Sequence, residues 1–287
     1  MSDRRPIPPP LHQSQEYETA LRHLGRTPLR LPDGALALRR RLPGGLQATM
    51  LPRAAPRSLA ALHDQLTASG LQRSLVILAP NAPLDSGALP LLSPACVAEL
   101  PLLPDPDRQR AALHQKWRNR LARAEDRGLT VTSGQGAALD WLLRAEEAQR
   151  CDRGYRGWPA TLTRAYLAAN RDAGVLLSAR EAGKPIAAVL ILRHGSAATY
   201  HIGHTTPRGR AVGAHNLLLW RATRQLADSG VSSLELGPLD TESAPGLARF
   251  KLGSGAHARR LGGTWLWWPP LGRALRPLGW LDRRLMA

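Results

Sequence analysis

Apolar positions recur along this chain at two different periods, and the period changes from segment to segment. Leu59, Leu62 and Leu66 repeat at helical spacing and Gly70 stands where a C-cap belongs, which predicts a helix over 58–69. Leu75-Val76-Ile77-Leu78-Ala79 is a continuous apolar run stopped by Pro80, the pattern of a buried strand. Short strands are expected at 35–42 and 46–51, and a loop rich in Pro and Leu over 81–107. Leu113, Trp117, Leu121 and Ala124 give one apolar face to a long helix over 108–127, with Arg118, Arg120, Arg123 and Arg127 mainly on the others. Val131 begins a short strand, and helices follow at 139–149 and 159–169.

Three apolar runs come next, 174–180, 186–193 and 197–204, separated by the compact turns 181–185 and 194–196. The economical arrangement is an antiparallel meander. Residues 214–229 predict a strong helix ended by Gly230, and strands are expected at 232–236 and 261–268. Leu66-Thr67-Ala68-Ser69-Gly70 precedes a strand and Pro80, as Leu226-Ala227-Asp228-Ser229-Gly230 precedes a strand and Pro238. This echo predicts two copies of one α/β unit. The proline-rich residues 1–12 are expected to be disordered. In 269–287, Leu271, Leu275, Leu278, Leu281 and Leu285 recur near helical spacing beside Trp280 and Arg273, Arg276, Arg283 and Arg284. That amphipathic tail either docks on the body or meets an anionic lipid surface.

Composition narrows the function classes. With 43% apolar residues in 287, wholesale disorder is excluded. The N-terminus runs into prolines and the longest apolar run, 186–192, falls far short of the roughly 18 residues of a spanning helix, so a cytoplasmic protein is expected. A tail bound to lipid would place it on the inner membrane face. The formal charge of +17 suits a polyanionic partner such as tRNA, a nucleotide-linked sugar or a lipid phosphate. However, Lys116, Lys184 and Lys251 are the only lysines among 39 basic residues, so coding bias towards arginine contributes to that surplus. No metal site is expected, because His201-Ile202-Gly203-His204 lacks helical and carboxylate spacing. Cys96 and Cys151 form no spaced pair, and Cys151 has no histidine pattern for a nucleophile.

Candidate chemistry gathers near the C-terminal helix. Gly213 allows close approach of the backbone to a phosphate, and the helix opening at Ala214 would turn free N–H groups and its positive end towards it. Arg210, Val212, Gly213, Ala214, His215 and Asn216 are therefore candidate donor-binding residues. Lys251 is a compact ammonium in a chain that otherwise favours arginine, and is the first candidate for stabilising developing charge. An attacking amine must be neutral, and Asp240 is the candidate base, with Glu242 and Glu235 nearby and Tyr200 as an alternative proton donor. Arg153, Tyr155 and Arg156 are candidates for lining the acceptor cleft.

Four segments together carry a family resemblance: Trp117-Arg118-Asn119-Arg120-Leu121-Ala122-Arg123-Ala124, Glu181-Ala182-Gly183-Lys184-Pro185-Ile186-Ala187-Ala188, Gly213-Ala214-His215-Asn216-Leu217-Leu218-Leu219-Trp220, and residues 245–255 around Arg249-Phe250-Lys251. Their order and spacing resemble the Fem-type aminoacyl-transferases and their relatives in the GNAT (N-acetyltransferase) superfamily. The resemblance implies an α/β (α+β) fold of two tandem GNAT-like domains, each a mixed, largely antiparallel sheet flanked by helices. The expected division is 13–130 and 131–268, the second carrying the donor site. The implied activity is transfer of an acyl group from acyl-CoA, or an aminoacyl group from aminoacyl-tRNA, to an amine on a small, lipid-linked or nucleotide-linked molecule, with no permanently bound cofactor. It also implies roles for Phe250 at the donor and Lys251 in catalysis. The sequence departs from the GNAT pyrophosphate loop at His215, where the pattern has Gly or Ala, which favours a donor other than CoA. The alternative is a non-catalytic basic protein of the same fold that binds RNA or an anionic membrane.

Overall fold

The computed structural model describes residues 8–84, 88–155 and 157–271. These fall into two units, residues 12–96 with 260–271, and residues 97–259 with 8–11. The sequence-based division at 130/131 is thus displaced. Helix packing explains the shift, because Trp117 and Leu121, assigned to the first domain by pattern, lie in the core of the second.

The first unit opens with α1 (Gln15–His23), whose N-cap Ser14 accepts the Tyr17 N–H. β1 (Leu29–Arg30), β2 (Leu36–Arg41) and β3 (Gln47–Ala54) follow, then α2 (Leu59–Ala68) capped by Ser58, β4 (Leu75–Pro80) and β5 (Leu89–Leu92). β3 and β4 are parallel, joined through α2, and Leu51, Leu62, Leu66, Val76 and Leu78 form the core between helix and sheet.

The second unit comprises β6 (Cys96–Pro101), α3 (Pro106–Ala111), α4 (Gln115–Glu125), β7 (Thr130–Ser133), α5 (Ala137–Arg153), α6 (Ala160–Ala169), β8 (Gly174–Glu181), β9 (Lys184–His194), β10 (Ala197–Thr205), α7 (Pro207–Ala211), α8 (Ala214–Asp228), β11 (Ser233–Leu239), α9 (Pro245–Gly253) and β12 (His257–Arg260). Its sheet runs β12-β6-β11-β10-β9-β8-β7. β8, β9 and β10 form the expected antiparallel meander, and β10 and β11 are parallel through α8. Alternate residues of β9, Val189 and Ile191, pack with Leu217, Leu218 and Leu219 of α8. Leu190, between them, shares the opposite face with Leu167 of α6, which fills the space above Gly174. The chain then returns as β13 (Thr264–Trp267), completing the first unit's sheet in the order β1-β2-β3-β4-β13-β5. Each unit therefore holds a mixed sheet with a parallel β-α-β step, which is the structural content of the internal echo.

Several local expectations change. The helix expected over 108–127 is two helices, broken where the His114 ring accepts the Lys116 N–H at 3.3 Å and restarts α4. The loop expected over 81–107 contains β5 and β6, and Pro90 is tolerated because β5 lies at the sheet edge. Residues 8–11 are not disordered: Leu11 is buried, and His194 Nδ1 donates to the Pro9 carbonyl at 3.1 Å. Residues 1–7, Arg156 and the tail over 272–287 lie outside the described residues. Among those described, no helix is long and apolar enough to cross a membrane.

Candidate functional site

β10 and β11 pair only from Ala197–Thr199 to Ser233–Glu235, although β10 continues to Thr205 and β11 to Leu239. Beyond Thr199 and Glu235 the two parallel strands part. A register shift between Tyr200 and Ile202 leaves His201 as an extra residue, and such a bulge re-aims the strand where it leaves its partner. The opening lies at the carboxyl ends of parallel strands, where an α/β sheet leaves a crevice. α8 starts from that end of β10, and α9 follows that end of β11.

Side chains from four elements meet here. The Tyr200 hydroxyl is hydrogen-bonded to His215 Nε2 at 2.7 Å, joining β10 to α8. The His215 ring meets Phe250 of α9 edge-on at 5.4 Å, and Phe250 packs against Trp117 at 5.9 Å. Gly203 makes the pair possible, because a methyl there would fall on the Tyr200 hydroxyl. Lys251 is only 8% exposed, and its Nζ donates to the Pro238 carbonyl at 2.6 Å. Gly237, with φ of +81°, turns the strand end at this point, and Nζ lies 3.7 Å from where a Gly237 side chain would begin.

Burial sets the charges. It lowers Lys251 to about 8, against the pull of Glu235 in the other direction. It lowers His215 to about 4, with His204 adding to the effect, so the imidazole is neutral. Burial raises Tyr200, and the charge of Glu146 adds to that, so the phenol keeps its proton. His204 is lowered by burial and by Arg210 and Arg153. Glu146, half-buried on α5, accepts a hydrogen bond from the Tyr155 hydroxyl at 2.7 Å.

Phe250 and His215 are therefore brought together and Lys251 is held at the end of β11, with Arg210 and Arg153 close enough to influence His204 and Tyr155 bound to Glu146. Asp240 is different. Its Oδ1 accepts the N–H groups of Glu242 at 3.0 Å and Ser243 at 2.7 Å, and these bonds hold it below the ordinary carboxylate value. It is an exposed turn cap, a poor acceptor for a substrate proton. The predicted phosphate loop also differs. Val212, Ala214 and Asn216 are buried, and a side chain on Gly213 would meet Arg120 at 3.2 Å and Ala124 at 3.4 Å. The freedom of Gly213 thus serves the close approach of α4, where Arg120 Nη2 donates to the Arg210 carbonyl. Glu146 was not singled out by sequence, and Gly203 and His204 were weighed there only as part of a metal motif that was set aside. A glutamate inside a helix and a glycine inside a strand carry no pattern of their own, and only the fold brings them to Tyr200 and His215.

The model of the acetyltransferase (GNAT) domain family matches residues 108–252, the stretch that holds this whole constellation. The chain belongs to that family. No curated protein matches it in sequence. The fold is also that of FemX, with a TM-score of 0.73 at 13% identity over 93% of this chain and 94% of that one. L-PGS from Bacillus licheniformis gives 0.52 at 14% identity over 98% of both chains. The C-terminal domain of a protein described as a lysylphosphatidylglycerol synthetase, from Agrobacterium fabrum, gives 0.53 at 15% identity over 88% of this chain and 87% of that one. The GNAT domain here is thus one unit of a Fem-type tandem fold.

Proposed function

We propose that the chain is a Fem-type N-acyltransferase that moves an aminoacyl group from aminoacyl-tRNA to an amine, forming an amide. The observation that carries this reading is the buried Lys251 ammonium held where β10 and β11 part. An ammonium has three N–H groups, and the Pro238 carbonyl takes one. The others remain to meet the oxyanion formed as the acyl carbon is attacked, a role worth on the order of 3 kcal/mol of transition-state stabilisation. The Lys251 nitrogen sits against the turned end of β11 at Gly237 and Pro238, and the carboxylate that acts on it is Glu235.

The choice of donor rests on α4 and α8. With Gly213 against Arg120 and Ala124, the start of α8 is covered, which disfavours it as a seat for the pyrophosphate of CoA. Lys116, Arg120, Arg123 and Arg127 of α4 and its C-terminal turn are exposed, a surface suited to the backbone of a large polyanion. The likeness to a protein described as a lysylphosphatidylglycerol synthetase supports an aminoacyl donor at the level of fold. The acceptor is a small, lipid-linked or nucleotide-linked amine, no resident cofactor is needed, and a cytoplasmic location goes with charged tRNA.

The test compares aminoacyl-tRNA, uncharged tRNA and acetyl-CoA in thermal melting, with release of labelled acyl group from each donor in the wild type and in Lys251→Met. Melting shifted by tRNA and turnover of the charged form alone, lost in Lys251→Met, is the expected result. A shift and turnover with acetyl-CoA only would replace the donor. Equal shifts with both tRNA forms and no turnover would make this an RNA-binding protein.

A further inference from the structure

Amine acceptors are ammonium ions near neutral pH, and each must shed a proton before it attacks. Asp240, as a turn cap, does not supply the base. The geometry points to Glu146 as the acceptor site: its carboxylate binds the ammonium of a primary amine and removes the proton that blocks attack. This inference rests on the transfer reading above and names the acceptor side of the same site.

Glu146 is held but not neutralised. Oε1 accepts the Tyr155 hydroxyl at 2.7 Å, and Gln149 Nε2 donates to that hydroxyl at 3.2 Å. The chain after α5 folds over the carboxylate, so that a side chain on Gly157 would begin 3.5 Å from Oε1. Among the described residues Oε2 accepts no hydrogen bond and no cation forms an ion pair with Glu146. Arg150, one helical turn away, is instead committed to Glu147 at 2.5 Å. In a chain with 39 basic and 22 acidic residues, a half-buried carboxylate left without a cation is ready for one that arrives with the substrate.

Its placement fits. The Glu146 charge is felt at the Tyr200 hydroxyl, which is bonded to His215, which in turn meets Phe250 beside Lys251. A carboxylate thus acts on the β10 side of the opening, and the Lys251 ammonium is held on its β11 side. Burial raises the Glu146 carboxyl above its ordinary value; the Tyr155 hydrogen bond and Arg150 oppose this, and Glu147 adds to it. A raised carboxyl is a better proton acceptor than a free one. In the transfer, one proton passes from the ammonium to Glu146 and then to solvent. The free amine forms the C–N bond as the ester C–O bond of the donor breaks, and the second nitrogen proton ends on the leaving hydroxyl.

The test uses Glu146→Gln, with Asp64→Asn as an exposed control and 1,5-diaminopentane and n-butanol as charged and neutral probes. Binding is measured without donor by the shift in melting, and amide formation with donor by initial rates. The wild type and Asp64→Asn are expected to bind the diamine alike, and Glu146→Gln at least about ten-fold more weakly, as for a lost charge-assisted hydrogen bond. The KM for the amine should rise to match, while loss of acyl group from the donor to water stays unchanged. If Glu146→Gln unfolds, Tyr155→Phe serves in its place, with a fall in diamine affinity of about three-fold expected for the loss of a supporting hydrogen bond. Diamine affinity equal in the wild type and Glu146→Gln, or butanol bound as well as diamine, overturns the inference even where donor turnover is intact. Diamine binding that depends on Glu146 beside a wild type with no donor turnover would overturn the transfer reading instead.

Discussion

Lys251 pays for its position in stability, and that cost makes its role measurable. Its folded value of about 8 lies below the unfolded 10.5, so between these pH values the unfolded chain binds the extra proton. Stability should therefore rise with pH across that window, and at neutral pH the buried charge costs on the order of 3 kcal/mol. Lys251→Met, which keeps the stem and drops the charge, is expected to raise the urea midpoint at pH 7 while cutting transfer by about 10²–10³-fold. A variant that is both less stable and fully active would remove the lysine from the chemistry. The pH dependence of turnover separates two roles for the same nitrogen. An ammonium that steadies an oxyanion gives a rate that falls as pH passes through about 8, whereas a lysine acting as base gives one that climbs. The falling limb is the expected one. His215 works in the opposite pH range. Its folded value of about 4 lies below the unfolded 6.5, so its contribution is complete above 6.5 and is lost as pH falls towards 4. Melting temperatures at pH 5 and 7 should differ by less in a His215→Phe variant than in the wild type.

At the scale of elements, the sequence was legible where burial is continuous. β8 and β9 carry continuous buried apolar runs and α8 buries nine of its 15 residues, so pattern alone locates them to within a residue or two. It failed where few positions are buried. α9 buries only Ala248 and Lys251, and α1 only Tyr17, Ala20 and Leu21, too little for a periodic stripe to show. The break at His114 was hidden because Leu113 and Trp117 keep helical spacing across it, and only the backbone reveals the restart. Gly213 shows how a motif can be seen in the sequence while a contact that needs it stays hidden. The glycine is needed, with φ of +71°, but what comes close to it is α4. Gly213→Ala is accordingly expected to cost about 1–3 kcal/mol through left-handed strain and the clash with the Arg120 carbonyl. Urea unfolding measures this, and the affinity for donor in the folded variant should hardly change. An alanine variant of unchanged stability that binds donor poorly would restore the phosphate-loop reading.

Across the whole molecule, the order of motifs pointed to the family, and with it to Phe250, Lys251 and His215, because those residues sit in contiguous runs. Glu146 and Tyr200 were not legible as a pair, since they are brought together only when α5 packs along β10. The charge of +17 is the property that sequence reports most directly and explains least. Its physical consequence depends on where the cations are free. Arg110 is paired with Glu125, Arg208 with Glu181 and Arg259 with Glu99 and Glu235, and such pairs attract polyanions weakly. Lys116, Arg120, Arg123 and Arg127 are exposed on one helix and its C-terminal turn, and none is ion-paired among the described residues, although Arg120 gives one N–H to the Arg210 carbonyl, so their charges remain for a phosphate backbone. If four such contacts form, the logarithm of tRNA affinity should fall with the logarithm of salt with a slope of roughly −3, a loss of roughly 60-fold between 50 and 200 mM. Reversing two of them, Arg123→Glu with Arg127→Glu, should flatten the slope and weaken charged and uncharged tRNA alike, because backbone contacts do not sense the aminoacyl end. Turnover at saturating donor should survive, since neither residue touches Lys251 or Tyr200. A salt slope near zero for tRNA in the wild type, or an unchanged slope in the double variant, would mean that α4 is not where the donor lies.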